Sequence, residues 1–221
     1  GARERARNTV NAKYGNQDCN VTDDFRDLLA RKDIDAVCIS TPDHWHVPMS
    51  IMALEAGKDI ICEKPTLSIQ EGRALVDTVK KTGRIFTTGL EDRSLPYHKL
   101  AEVVRNGAIG KLHTIHVGLP YKGKVWEVLP ESPVPSGFNY NLWLGPAPWA
   151  PYTYHRCRPW TREHSYSIWY HISDYCLGGI GGYWGIHHLD IAQWGHGTDH
   201  TGPVEVEGTA TFPDNGLADC A

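Results

Sequence analysis

The 221-residue sequence lacks the features that mark membrane-spanning, nucleic-acid-binding and disulfide-rich proteins. It has no apolar run of the roughly 20 residues that a membrane-spanning helix requires, so we expect no membrane as a partner. Lys and Arg number 22 against 26 Asp and Glu, which leaves a net charge of −4 and excludes nucleic acid as the main partner. The six cysteines form no C-x-x-C pair, so we expect neither a disulfide framework nor a structural zinc site.

The glycine-rich loops that bind phosphate groups are also missing. No G-x-G-x-x-G and no Walker sequence occurs, and the glycine cluster over residues 178–182 has neither the required spacing nor a strand before it. The first residue is Gly1 rather than Met, and the residues that follow it form no signal peptide.

What is present divides into two halves. Residues 1–110 contain 16 basic and 16 acidic side chains, whereas residues 111–221 contain 6 and 10. Seven of the eight Trp lie in the second half, together with most of the Tyr. Such a half is typical either of a site that binds a polar ring, such as a sugar, or of an aromatic core in a β domain. We predict a domain boundary between residues 110 and 111.

The first half alternates helices with short apolar runs. Those runs have the length and the β-branched residues of buried strands, and glycines follow the helices at positions typical of helix ends. Ser68 and Glu71 form a capping box, and Thr22 can cap a short helix that ends at Leu29. The pattern predicts helices over 3–14, 22–29, 44–56, 68–82 and 96–106, and strands over 35–40, 59–62 and 84–88. Strands joined by helices through short connections predict a parallel sheet with right-handed crossovers.

Polar residues follow each predicted strand. They are Ser40-Thr41-Pro42, Glu63-Lys64-Pro65 and Thr88-Gly89. Ligands of parallel sheets bind beyond the carboxyl ends of the strands, so these residues predict one crevice that binds a nucleotide or another cofactor. Nucleotide-binding domains of this class normally open with a strand and a glycine turn, and we therefore expect about one βαβ unit to precede Gly1.

Six motifs in a fixed order carry a family resemblance. They are Ser40-Thr41-Pro42-x-x-x-His46, Ala53-Leu54-x-Ala56-Gly57-Lys58, Cys62-Glu63-Lys64-Pro65, Gly89-x-x-x-Arg93, Gly107-x-Ile109-Gly110 and Gly178-Gly179-x-x-x-x-x-Gly185-x-His187-His188-x-Asp190. This order resembles the Gfo/Idh/MocA oxidoreductases, the family of glucose–fructose oxidoreductase and inositol dehydrogenase. The resemblance extends from about residue 22 to residue 208.

The resemblance implies an α/β fold: an incomplete Rossmann parallel sheet over residues 1–110, then an α+β domain with an open, mainly antiparallel sheet over residues 111–221. It implies that the site lies between the domains, that the cofactor is NAD or NADP, and that the full-length protein is a homo-oligomer. It makes Lys64 the active-site lysine and His187 the catalytic histidine. The implied cofactor-binding residues are Ser40, Thr41, Pro42, His46, Glu63, Lys64, Pro65 and Arg93, and those for a sugar, cyclitol or sugar-derivative substrate are Lys64, Tyr183, His187 and Asp190.

The chemistry of these residue types is suited to oxidation of a secondary alcohol. A histidine accepts the hydroxyl proton near neutral pH, and a lysine ammonium stabilises the negative charge that develops on the oxygen. Asp190 lies three residues after His187, on the same face of a predicted helix, so we expect it to orient His187 or to accept a substrate hydroxyl. His188 points away from that face.

Two departures from the family pattern leave alternatives open. Tyr183 stands where the family usually has an acidic residue, and Glu91-Asp92 replaces a Gln-rich stretch before Arg93. The alternatives are a glycoside-cleaving enzyme that works by oxidation and elimination, and a non-catalytic sensor or repressor. We expect no metal, although His155, His164 and His171 could converge with His187. The choice between NAD and NADP stays open, as does the compartment, with the cytoplasm as default and periplasmic export as the alternative.

Overall fold

A computed structural model of the chain describes residues 2–94, 96–119, 130–157, 168–178, 182 and 184–209. In chain order, its helices and strands are α1 (Ala2–Tyr14), α2 (Phe25–Leu29), β1 (Ala36–Ile39), α3 (Asp43–Glu55), β2 (Asp59–Cys62), α4 (Ile69–Thr82), β3 (Phe86–Thr88), a 3₁₀-helix (Glu91–Arg93), α5 (Tyr97–Arg105), α6 (Tyr140–Leu144), α7 (Tyr154–Cys157), a second 3₁₀-helix (Ile168–His171) and α8 (Gly185–His196). In the described part of the chain, no helix has the length and apolar character needed to cross a membrane.

The three strands form a parallel sheet in the order β1-β2-β3. Ile39 pairs with Cys62, and Cys62 pairs with Thr88, so the three strands end level with one another. The predicted parallel sheet is therefore confirmed, and the residues that follow each strand are brought to one edge.

Local side-chain chemistry explains where the helices begin. Ser68 accepts a hydrogen bond from the backbone N–H of Glu71 at 3.2 Å, as the capping box predicts, and Gly83 ends α4 in the left-handed conformation (φ 67°). The prediction that Thr22 caps α2 is wrong. Asp24 is the capping residue, because its carboxylate accepts from Arg26 N, while the hydroxyl of Thr22 accepts from Asp24 N.

Helices α3 and α4 cover one face of the sheet. The core between them consists of seven buried residues: Ile39, Val47, Ala53, Leu54, Ile60, Cys62 and Leu75. On the opposite face Cys38 is exposed and the side chain of Ile61 is 55% exposed. The strands were predicted to be buried, and in the structure only the face toward α3 and α4 is buried, because no described helix packs on the other face.

The aromatic residues of the second half form a core of their own. Its buried members are Tyr140, Leu144, Tyr152, Ile168, Ile172 and Tyr175. This core comes from short helices and loops, and no strand occurs in the described residues after Thr88. For these aromatics the interpretation as core applies rather than the interpretation as a sugar site. The mainly antiparallel sheet stays a prediction.

The aromatic core contacts the first half at the start of α3. The indole N–H of Trp45 donates to the carbonyl of Leu142 at 2.9 Å, and His44 Nε2 lies 2.9 Å from the carbonyl oxygen of Trp143. The backbone N–H of His44 also donates to Tyr175 O at 3.3 Å. These bonds attach the second half directly beside the carboxyl end of β1.

Candidate active site

Lys64 connects the end of β2 to the residues that directly precede α8. Its ammonium donates a hydrogen bond of 2.8 Å to the carbonyl oxygen of Gly182, 118 residues further along the chain. Gly182 lies just before α8, which begins at Gly185 and carries His187 in its first turn. This contact brings Lys64 to the segment that directly precedes α8.

A cavity of about 600 Å³ opens beside Lys64. Glu63, Pro65 and His46 lie in its wall with Lys64, and the rest of the wall is largely apolar side chains of β3 and α4, with Leu177 and Ile186 from the second half. An apolar wall with a few convergent polar groups is typical of sites for small molecules and cofactors. The cavity therefore contains four of the predicted site residues.

His46 is buried and joins two strand ends. Its Nδ1 lies 2.9 Å from the carbonyl oxygen of Pro65, and its Nε2 lies 2.8 Å from that of Thr41. Carbonyl oxygens only accept, so both ring nitrogens donate when the ring is an imidazolium. Because each ring nitrogen faces a backbone carbonyl, His46 links the ends of β1 and β2, and its contact with the cofactor stays a prediction.

Asp43 is a buried carboxyl group that the sequence analysis missed. It is 4% exposed and accepts a hydrogen bond from the backbone N–H of Leu177 at 3.3 Å. Burial raises the pKa of Asp43, and the positive charges of His46 and Lys64 oppose that rise. The signal that could have found it is its place directly after Pro42, in the first turn of a helix that starts at a strand end.

The end of β1 faces a second cavity, of about 690 Å³, lined by Thr41, Pro42 and Trp45 among others. Ser40 and Thr41 also border a third cavity of about 490 Å³ beside β1. The hydroxyl oxygen of Thr41 is buried and has no hydrogen-bond partner among the described residues. An orphaned hydroxyl at a strand end fits a polar ligand such as a nicotinamide ribose, so the residues present suit the cofactor that the resemblance implies.

His187 is 4% exposed, and its ring lies beside that of Trp184, with 5.6 Å between the ring centroids. The nearest described carboxylate that pairs with it is that of Asp92, whose Oδ2 lies 3.6 Å from His187 Nδ1. The sequence analysis did not connect these two residues, because nothing in the spacing links position 92 to position 187.

Asp190 does not orient His187 as expected. Both of its carboxylate oxygens accept hydrogen bonds from Arg93, at 2.6 and 2.7 Å, and Arg93 also donates to Asp199 at 2.8 Å. The guanidinium lies over the ring of Trp194, 5.4 Å from its centroid, and the bonds to Asp190 raise the pKa of Arg93. Arg93, expected to bind the cofactor, and Asp190, expected to bind substrate, form an ion-pair network in which the planar guanidinium matches the carboxylate. Their contacts with cofactor and substrate stay predictions.

Tyr183, expected to bind substrate, lies outside the described residues. Among the residues that the structure describes, no group of three or more His, Cys, Asp or Glu side chains is placed to hold a metal ion.

These features describe an α/β protein with cavities at the carboxyl ends of parallel strands, the place where ligands of such sheets bind. A model of the oxidoreductase family with an NAD-binding Rossmann fold matches residues 2–90, and a model of the family's C-terminal alpha/beta domain matches residues 96–216. The chain therefore belongs to the Gfo/Idh/MocA oxidoreductase family, and the resemblance inferred from the motifs is confirmed.

Three similar proteins extend this comparison. Levoglucosan dehydrogenase of Pseudarthrobacter phenanthrenivorans is 34% identical over 128 residues, which are 56% of this chain and 31% of that protein. A glycosyl hydrolase family 109 protein of Shewanella is 49% identical over 59 residues, 26% of this chain and 13% of that protein. The chain thus spans less than a third of either relative. The crystal structure of an NAD-binding protein from Listeria innocua aligns with 86% of this chain and 41% of its own, with a TM-score of 0.52 and 23% identity, a likeness of fold alone.

Proposed function

We propose that this chain forms part of an NAD(P)-dependent oxidoreductase that removes a hydride from a secondary hydroxyl of a sugar, a cyclitol or a sugar derivative. The observation that most supports this function is the hydrogen bond from Lys64 to Gly182. It joins a lysine at a strand end to the segment just before the helix that carries His187. The name of levoglucosan dehydrogenase, a relative over half of this chain, supports the substrate class.

The roles that we propose follow from the charges of the side chains. His187 accepts the proton of the substrate hydroxyl, and the ammonium of Lys64 stabilises the negative charge on the oxygen. NAD(P)⁺, when bound, accepts the hydride. Ser40, Thr41 and Pro42 at the end of β1 would hold the cofactor.

Glu63 and Pro65, at the end of β2, would lie beside the same cofactor. His46 would stabilise these two strand ends, since its ring nitrogens lie within hydrogen-bond distance of the carbonyl oxygens of Thr41 and Pro65. Asp190 and Arg93 stabilise α8 in this proposal.

A second candidate function is glycoside cleavage by transient oxidation and elimination. The observation in its favour is the match to a glycosyl hydrolase family 109 protein, at 49% identity over 59 residues. This chemistry would use the same lysine and histidine. Its net products differ, however, because the reduced cofactor is reoxidised within the cycle and the leaving group is released.

The full-length protein, incubated with NAD⁺ or NADP⁺, separates the two candidates when given free sugars, cyclitols and aryl glycosides in parallel. We expect reduced cofactor in proportion to oxidised sugar. Release of the aryl group without net reduced cofactor would establish the second candidate instead.

The variants Lys64→Met and His187→Gln should each lower kcat by about 10²-fold or more, the usual contribution of a charge-stabilising group or a general base. Lys111→Met is the matched control, because Lys111 is exposed and should leave the rate unchanged. Ligand-dependent function that persists in both site variants would instead indicate a sensor without catalysis.

A further inference from the structure

The buried ring of His187 has one nitrogen without a hydrogen-bond partner. His187 Nδ1 is inaccessible to solvent and makes no hydrogen bond with the described residues. A buried polar atom in this condition is costly unless a partner approaches it. The group that faces it is the carboxylate of Asp92, with Oδ2 at 3.6 Å from Nδ1. Asp92 is partly buried, its side chain being 25% exposed.

The neighbours of Asp92 leave its carboxylate available for His187. Arg93, the next residue, directs its guanidinium to Asp190 and Asp199. Glu91, the preceding residue, is exposed. Both oxygens of Asp190 accept hydrogen bonds from Arg93. Among the described residues, Asp92 is the carboxylate that pairs with the His187 ring.

We propose that Asp92 is a positioning residue that selects the tautomer of His187. A carboxylate can only accept a hydrogen bond, so it favours the neutral imidazole that carries its proton on Nδ1. The lone pair is then on Nε2, which becomes the nitrogen that takes a proton from a hydroxyl. The separation of 3.6 Å is slightly longer than a hydrogen bond, as it often is before a substrate is bound.

The same contact stabilises the product of proton transfer. When Nε2 accepts a proton, the imidazolium that forms can donate its Nδ1–H to the carboxylate of Asp92. This second effect rests on the proposed function, whereas the choice of tautomer does not.

Nitrogen-15 NMR of the full-length protein labelled at histidine tests the tautomer without substrate or cofactor. The signal of His187 is assigned by its loss in His187→Gln and is read at a pH where the ring is neutral. We expect the Nδ1–H form in the unsubstituted protein, although free histidine favours the Nε2–H form. An Nε2–H ring in the unsubstituted protein overturns the proposal whether or not Asp92→Asn folds.

Asp92→Asn is the decisive variant, because it keeps the size of the side chain and removes its charge. We expect its His187 to shift to the Nε2–H form and its kcat to fall by about 10²-fold, with KM changed less than threefold. Glu91→Gln is the matched control, since it removes a charge from the adjacent exposed residue, and it should change neither quantity. An unchanged tautomer in Asp92→Asn would refute the inference.

The failure of this inference and the failure of the proposed function give different results. A tautomer shift in Asp92→Asn, together with no oxidation of any sugar or cyclitol, would retain the positioning role and reject the function. If the enzyme oxidises a sugar but Asp92→Asn leaves the tautomer of His187 unchanged, the function is retained and the positioning role is rejected.

Discussion

Replacing Arg93 with Ala should lower the free energy of unfolding by about 2 kcal/mol. Arg93 makes three hydrogen bonds to carboxylates, two with Asp190 and one with Asp199. An exposed ion pair contributes at most about 1 kcal/mol, whereas breaking a buried pair costs about 3–5 kcal/mol. The side chains of Arg93 and Asp190 are 39% and 14% exposed, so the loss falls between these limits.

Urea unfolding and thermal melting measure this loss. For a chain of this size, about 2 kcal/mol corresponds to a melting temperature lower by roughly 4–8 °C. A double-mutant cycle of Arg93→Ala with Asp190→Asn should show a coupling of at least about 1 kcal/mol, since the two residues share two bonds. Arg93→Lys should lose about half as much, because it keeps the charge without the two-pronged geometry.

The exposed pair of Lys99 and Glu102 supplies the control. Their side chains are 67% and 45% exposed, and Lys99→Ala should change the free energy of unfolding by less than about 0.5 kcal/mol. If Arg93→Ala costs no more than Lys99→Ala, or if the coupling is near zero, the network does not stabilise α8 and the reasoning is refuted.

Two further predictions concern packing and thiol reactivity. Gly145→Ala should lower the free energy of unfolding, measured by thermal melting, by about 2–3 kcal/mol. At Gly145 φ is 52°, and an added Cβ would overlap the ring of Trp45. Gly137→Ala should lower it by about 1 kcal/mol, because Gly137 has a positive φ but no neighbour within 4 Å. Equal losses would contradict the close approach. Burial raises the pKa of Cys62 to about 11, so at pH 8 the folded protein keeps this residue as a thiol. Iodoacetamide at pH 8 should therefore label the exposed Cys38 and should label Cys62 only after urea is added. Labelling of Cys62 as fast as Cys38 would show that it is not buried.

The parts of the fold that the sequence predicted are those fixed by neighbours in the chain. Ser68 caps α4 because its hydroxyl reaches the backbone three residues on, and the order of the parallel strands follows from helices that connect them one after another. Even there, one boundary was wrong: Thr22 and Asp24 are both good capping residues, and only the geometry of the chain selects Asp24.

The site was predicted less completely because its contacts join distant residues. Helical spacing placed Asp190 on the face of His187 correctly, but spacing cannot show that Arg93 competes for the same carboxylate and binds it more strongly. The aromatic composition was equally ambiguous. Whether Trp143 lines a sugar site or packs in a core depends on where the described aromatic core meets the start of α3.

Two side-chain contacts pair α8 with the 3₁₀-helix of residues 91–93. Adjacent residues Asp92 and Arg93 face His187 and Asp190, which lie three apart and therefore on one face of α8. Two charge contacts at this spacing fix both the position of the helix along its axis and its rotation. Tyr183 cannot supply a carboxylate, and among the described residues Asp92 is the carboxylate that faces His187.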